Sequence, residues 1–170
     1  KIFKSEQIRE IDRLTIINEP VASIDLMERA AEGLFRHITA MFSADKRIIV
    51  FAGPGNNGGD GLALARMLYS AGYDVKVCYV AFSEKNTDDW KKNRKRLEGI
   101  PGLQFTVIGH ESELPLLPDD TVCIDAILGS GLTRPAEGLA AQTIRHINNS
   151  RTTVIAVDMP SGLFGEDNSQ

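Results

Sequence analysis

Residues 47–61, RIIVFAGPGNNGGDG, join a β-branched run to a turn dense in glycine, and the reading of that junction decides the fold. Arg47 to Ala52 is short and almost continuously apolar, the signature of a parallel strand covered on both faces. The stretch 51–61 then holds five glycines. A helical pattern resumes through Leu62, Ala65, Leu68 and Tyr69, so the junction is one βα unit.

The same alternation continues along the chain. DVKVCYV (74–80), LQFTVIG (103–109), TVCIDAIL (121–128) and TTVIAV (152–157) read as further strands, with a polar helix over 87–97 and another over 137–149. Upstream, Ser5 and Ser23 are candidate caps of two amphipathic helices. The first carries Ile8, Ile11 and Leu14, and the second a stripe of Leu26, Ala30, Leu34, Ile38 and Met41, both expected to pack on the sheet. The pattern predicts an α/β fold, a three-layer Rossmann-like sandwich with a mostly parallel central sheet and two additional N-terminal helices, in a single domain over 1–170.

Composition narrows the function classes. With 170 residues, 42% hydrophobic and 25% charged, one domain can bury a real core, and a net charge of −4 offers nucleic acid or an anionic membrane no electrostatic reason to bind. No stretch is apolar enough to span a bilayer, and KIFKSEQIRE lacks a signal-peptide core, so the expectation is a cytoplasmic protein with a small-molecule partner. Cys78 and Cys123 sit in apolar strands and read as core residues. His37, His110 and His146 have no metal-ligand spacing. The basic run Lys91, Lys92, Arg94, Lys95 and Arg96 lies beside Asp88, Asp89 and Glu98, which makes it a solvated helix face.

In an open parallel sheet the loops after the strands gather at one edge, where ligands bind. Three of them carry chemistry: GPGNNGGDG after the first strand, DAILGSGLTRP (125–135) after the fourth, and DMPSG (158–162) after the fifth. Gly53, Gly55 and Gly58 satisfy the dinucleotide pattern G-x-G-x-x-G, but strand two ends Tyr79, Val80, Ala81 without the ribose-binding acid. A Walker loop fails because Gly59 and Asp60 stand where lysine and serine or threonine belong. Neither pattern accounts for Asn56, Asn57 and Asp60, whose oxygens suit hydroxyl groups, a hard cation or both, unless they only cap the next helix. Asp125 is a carboxylate in an apolar strand and needs a cation or several N–H donors. Gly129, Ser130, Gly131 and Thr133 allow a ligand close approach, and Arg134 can grip phosphate. Asp158 and Ser161 share a sharp turn; with no histidine nearby, Ser161 is a ligand oxygen rather than a triad nucleophile, and Asp158 is the candidate acid/base.

Together with the helix DLMERAA (25–31), these three loops in this order resemble the NAD(P)H-hydrate epimerase family, the YjeF amino-terminal domain. The resemblance implies an isomerase of cofactor repair, which interconverts the R and S epimers of NADHX and NADPHX, nicotinamide cofactors hydrated at C6 of the ring. It implies substrate contacts from Asn56, Asn57, Gly58, Gly59 and Asp60, from Gly129, Ser130, Gly131, Leu132, Thr133, Arg134 and Pro135, and from Asp158. It implies one potassium ion (K+) per subunit on Asn57, Asp125 and Ser161, with backbone carbonyls helping. Asp158 would shuttle a proton while the C6 hydroxyl departs and returns, or while the ring opens and closes. A homodimer is expected, as is an ADP/ATP-dependent dehydratase, fused or separate, acting on the S epimer. In the family the chain runs on past the DMPSG-type turn, so a domain truncated at its C-terminus is expected. The competing reading is a non-catalytic binding module of the same fold, an RNA-processing or protein-interaction scaffold; an ordinary NAD-dependent oxidoreductase is disfavoured by the missing ribose acid.

Overall fold

The computed structural model describes residues 4–165, so the expectation of a truncated C-terminus lies outside the described residues. Two helices, α1 (Ser5–Asn18) and α2 (Ser23–Met41), precede β1 (Arg47–Ala52), α3 (Asn56–Ser70), β2 (Asp74–Val80), α4 (Asp88–Glu98) and β3 (Gln104–Ile108). A short 3-10 turn at Glu111–Glu113 leads to β4 (Val122–Ala126), α5 (Gly138–Asn148) and β5 (Thr153–Ala156). The strands pair in the order β3-β2-β1-β4-β5, every pair parallel. Among the described residues, none of the helices is long and apolar enough to cross a membrane.

The period of two along each strand divides the core between the two faces. Ile48, Val50 and Ala52 of β1 join Val75, Val77 and Tyr79 of β2 and Ile124 of β4 in the cluster that includes α3 and α4 residues. Ile49 and Phe51 turn the other way, with Cys78, Cys123, Ala140 and Ile147. Each large side chain sealed in this way contributes about 1.5–3 kcal/mol, so near-continuous apolar strands are what a doubly covered sheet requires. Both cysteines are free and buried, and burial pushes the Cys78 thiol up to about 11.

Glycine lets α3 lie this close to the sheet. A Cβ on Gly61 would stand 2.5 Å from the Ala126 Cβ, and one on Gly58 would stand 1.8 Å from the Gly53 carbonyl oxygen. Helix α4 follows its charges: Thr87 caps it by accepting from the Trp90 N–H at 3.4 Å, with Asp88 and Asp89 in the first turn and Lys95 and Arg96 in the last. The basic run is paired as expected, Lys91 with Asp88, Lys92 with Asp89 and Arg94 with Glu98. Arg96 instead shares Glu28 of α2 with Arg66 of α3, which ties three helices together.

The N-terminal helices depart from expectation. Lys4 and Ala22 occupy the N-cap positions, so Ser5 and Ser23 are first helical residues rather than caps; the Ser23 hydroxyl bonds the Asp89 carboxylate instead. Helix α2 packs on α3 rather than on the sheet, and it buries Ile24, Met27, Ala31 and Ile38. Ala30 and Met41 of the expected stripe are exposed. None of the described α1 side chains joins either core cluster, and Ile8, Ile11 and Leu14 remain 40–42% exposed.

Replacing Gly58 by alanine sets a methyl group against backbone that cannot move without opening the β1–α3 turn. Urea unfolding should show a loss of about 1–3 kcal/mol or more. Gly33, mid-α2 with nothing within 4 Å of an added Cβ, should show the reverse, Gly33→Ala gaining roughly 0.5–1 kcal/mol.

Candidate functional site

β1 leads out to β2 on one side and β4 leads to β5 on the other, so the loops leaving their carboxyl ends part and leave a crevice between them. A cleft of ≈ 730 Å³ lies there. The two strand ends are held together directly: the Gly53 N–H donates to the Ala126 carbonyl at 2.9 Å, and a Cβ on Gly53 would overlap the Ile127 carbonyl oxygen at 2.0 Å.

Because Gly55 is the N-cap of α3 and no side chain caps that end, Asn56 and Asn57 begin the helix and Asp60 follows one turn later. Capping is therefore not their role. Asn56, Asn57 and Asp60 all line the cleft. The Asn57 amide is the anomaly, since both its Nδ2 and Oδ1 are buried with no hydrogen-bond partner. Such atoms cost roughly 1–3 kcal/mol each unless a ligand satisfies them. Gly58 and Gly59 do not line the cleft, where Pro54 and Gly55 take their place. They face inward, Gly58 against Gly53 and Gly59 against the Met27 side chain, which explains the glycines by close packing.

Asp125, 7% exposed, lies below the cleft and is well supplied with donors. Its Oδ1 accepts from the Ile127 N–H at 3.2 Å and from the Ser161 hydroxyl at 2.6 Å, and its Oδ2 accepts from the Ser161 N–H at 2.8 Å. The Leu128 N–H donates to the Ser161 hydroxyl at 2.8 Å, while the Leu128 carbonyl stands 3.0 Å from the same oxygen. One hydroxyl proton serves Asp125 or that carbonyl but not both, which leaves oxygen lone pairs facing each other.

The β4 loop supplies Gly129 through Arg134 to the cleft, and Pro135 falls outside it. The Ser130 N–H donates to Asp158 Oδ2 at 2.7 Å. A Cβ on Gly129 would come within 2.7 Å of that oxygen and 3.3 Å of the Asn57 Cβ, so only glycine lets Asn57 and Asp158 share the site. Three regions that the sequence did not assign to the site also form its walls: Ile8 and Asp12 from α1, Ala30 and Leu34 from α2, and Phe82 after β2. Their sole signal was amphipathicity, which marks a helix face without naming what it meets.

Three carboxylates, Asp12, Asp60 and Asp158, thus line one cleft, whose one lining cation among the described residues is Arg134. Asp60 is pushed up to about 7, first by burial and then by the charges of Asp158, Asp12 and Asp89. Asp12 is raised by burial and by Asp158. The raised acid Asp60 lies one helical turn from Asn57. A carboxyl half-protonated near pH 7 beside other carboxylates is an arrangement able to give and take protons.

Comparison with known proteins gives one consistent answer. The chain matches the family model of YjeF-related protein N-terminus over residues 23–170. It is 38% identical over 164 residues to the NAD(P)H-hydrate epimerase of Limosilactobacillus reuteri strain ATCC 55730 / SD2112, covering 96% of this chain and 74% of that one. It is 37% identical to the bifunctional NAD(P)H-hydrate repair enzyme Nnr of Thermofilum pendens, covering 98% of this chain and 32% of the relative. Among solved structures, the crystal structure of yeast YNL200c superposes with a TM-score of 0.78 at 27% identity, covering 95% of this chain and 71% of that one.

The raised Asp60 has a stability consequence with a definite sign. Its folded value of about 7 exceeds the ordinary 3.8, so the folded protein holds a proton that the unfolded chain releases, and stability present at low pH is lost as pH rises from about 4 through about 7. Asp60→Asn should therefore match the wild type at pH 4 and exceed it at pH 8, the gap widening by at most about 1.4 kcal/mol per pH unit in denaturant titrations.

Proposed function

The chain belongs to the family of YjeF-related protein N-termini, and on that premise we propose that it is an NAD(P)H-hydrate epimerase, interconverting the R and S epimers of NADHX and NADPHX. The observation that carries the reading is the convergence of Asp60, Asp158 and the unpartnered Asn57 amide on one cleft at the sheet's switch point. The cleft volume lies within the range of small-molecule sites. An intact dinucleotide presented for hydride transfer has no need of three carboxylates, whereas inversion at a hydroxyl-bearing carbon moves protons as the hydroxyl departs and returns, or as the ring opens and closes.

Asp158 is the acid/base in this proposal. The Ser130 N–H fixes its Oδ2, so the carboxylate is oriented before substrate arrives. Asp60 carries the exchangeable proton near neutrality and keeps Asp158 from being the sole store of it. Arg134 and the Gly129–Thr133 backbone suit the pyrophosphate end, because a guanidinium and a glycine-rich loop favour anions.

Potassium fits the residues present. The Asn57 Oδ1 lacks a partner, Asp125 contributes one negative charge, and Ser161 with the Leu128 carbonyl adds neutral oxygens. Among the described residues no group of three or more His, Cys, Asp or Glu side chains is gathered closely enough to hold a metal ion, and a single carboxylate with neutral oxygens suits a hard monovalent ion. The ion would supply positive charge to the floor of the site, with Asn57, Asp125 and Ser161 holding it. A dehydratase acting on the S epimer completes the repair, and the bifunctional Thermofilum pendens relative motivates that pairing.

The test is conversion of pure R-NADHX to the S epimer, followed by NMR or chromatography. Wild type should convert it and Asp158→Asn should lose at least about 100-fold in rate; absence of conversion by the wild type would favour the binding-module reading. Potassium chloride should raise the melting temperature more than sodium chloride does, with about 2.7 kcal/mol of stabilisation at a hundredfold excess over the dissociation constant. Asn57→Ala should abolish that difference between the salts.

A further inference from the structure

One wall of the cleft belongs to neither the loop motifs nor the matched residues 23–170. Helix α1 brings Ile8 and Asp12 to the site from outside that span. We propose that Asp12 is a substrate-contacting residue whose carboxylate accepts a hydrogen bond from the hydrated ring, so that α1 is part of the active site rather than an appendage to the fold. The inference rests on the epimerase reading of the same cleft.

Packing does not account for the position of Asp12. None of the described α1 side chains joins the core, and Ile8, Ile11 and Leu14 remain substantially exposed. On α1, Arg13 pairs with Glu10, and beyond its end Glu19 pairs with Arg29 of α2. Among the described residues no cation pairs with Asp12, which instead lines the cleft with two other carboxylates. Its charge bears on Asp60, and that of Asp158 bears on it, so these groups lie within electrostatic reach across the cleft. The α2 residues that line this cleft, Ala30 and Leu34, are uncharged, and Asp89 behind Asp60 is already paired with Lys92.

A ligand site is marked independently by Asn57, whose buried amide atoms lack partners beside Gly129 and Asp158. The charges then orient the ligand. Ionised carboxylates are acceptors only and repel phosphate, so Asp12 and Asp158 favour groups that donate O–H or N–H. The hydrated ring offers both, a hydroxyl and a carboxamide, while the pyrophosphate is left to Arg134, the one lining cation among the described residues. In this arrangement Asp12 holds the ring near Asp158, and its negative charge favours retention of the proton on Asp60.

Asp12→Asn, Asp12→Glu and the same-helix control Glu10→Gln should be assayed with R-NADHX in the full chain. Asp12→Asn is expected to lose roughly 10- to 100-fold in kcat/KM with an unchanged melting temperature, Asp12→Glu to recover most of the loss, and Glu10→Gln to stay within about twofold. A wild-type rate in Asp12→Asn, or an equal loss in Glu10→Gln, overturns the proposal. A carbon-13 NMR titration of the Asp12 carboxyl gives a readout independent of activity. Its midpoint should lie above the ordinary carboxylate value and fall in Asp158→Asn; an ordinary midpoint unaffected by Asp158→Asn removes Asp12 from the site. A wild type without epimerase activity whose Asp12 still titrates in this coupled way would sink the epimerase reading while keeping α1 in the ligand site.

Discussion

The structure depends on how closely the ends of β1 and β4 approach. The hydrogen bond from the Gly53 N–H to the Ala126 carbonyl leaves no room for a side chain between Gly53 and Ile127. From that contact the rest follows in order. The turn can tuck Gly58 under Gly53, α3 can start at Asn56, and Gly61 can rest against Ala126. Only then do Asn57 and Asp60 emerge beside the loop that leaves β4. A methyl group at any of these contacts would push the helix, and the site with it, away from the sheet.

The sheet was legible because its central strands β2, β1 and β4 are buried on both faces, although the edge strands β3 and β5 are partly exposed. β1 and β2 have the bounds that the apolar runs predict, and β3 differs by one residue at each end. The loops were legible for the same reason, since carboxylates and amides beside apolar strands are out of place unless they do chemistry. The helices before β1 were not. A stripe of apolar residues tells that a helix is amphipathic, but α2 found its partner in α3, and its buried face is set by Met27 on Gly59 and by Glu28 between two arginines. Asp12 is an exposed acid one turn from Ile8, which looks the same whether it meets water or a ligand. Gly58 and Gly59, expected at the substrate, pack against Gly53 and Met27: absence of a side chain signals close approach without saying whether a ligand or the protein's own atoms approach.

The site is arranged against stability. A partly buried Asp60 beside like charges, an amide with no partner and a carboxylate deep in a strand are each unfavourable for folding alone. The fold compensates locally, giving Asp125 three donors and Asp158 a backbone N–H, while leaving the Asn57 amide without a partner. Supported groups alternate with unsupported ones, which separates the residues that orient from those left to respond to what binds.

The strand order also governs how the molecule comes together in time. β1 pairs with β2 across a single helical excursion, Arg47 opposite Asp74, but its other edge waits for β4, where Ile48 meets Val122. That second pairing must close a longer loop containing α3, β2, α4 and β3, so it bears the larger entropic penalty of chain closure. The cleft exists only between those two edges. The glycine turn can therefore be formed well before there is any pocket for it to serve, and the capacity to bind is among the last properties the folding chain acquires.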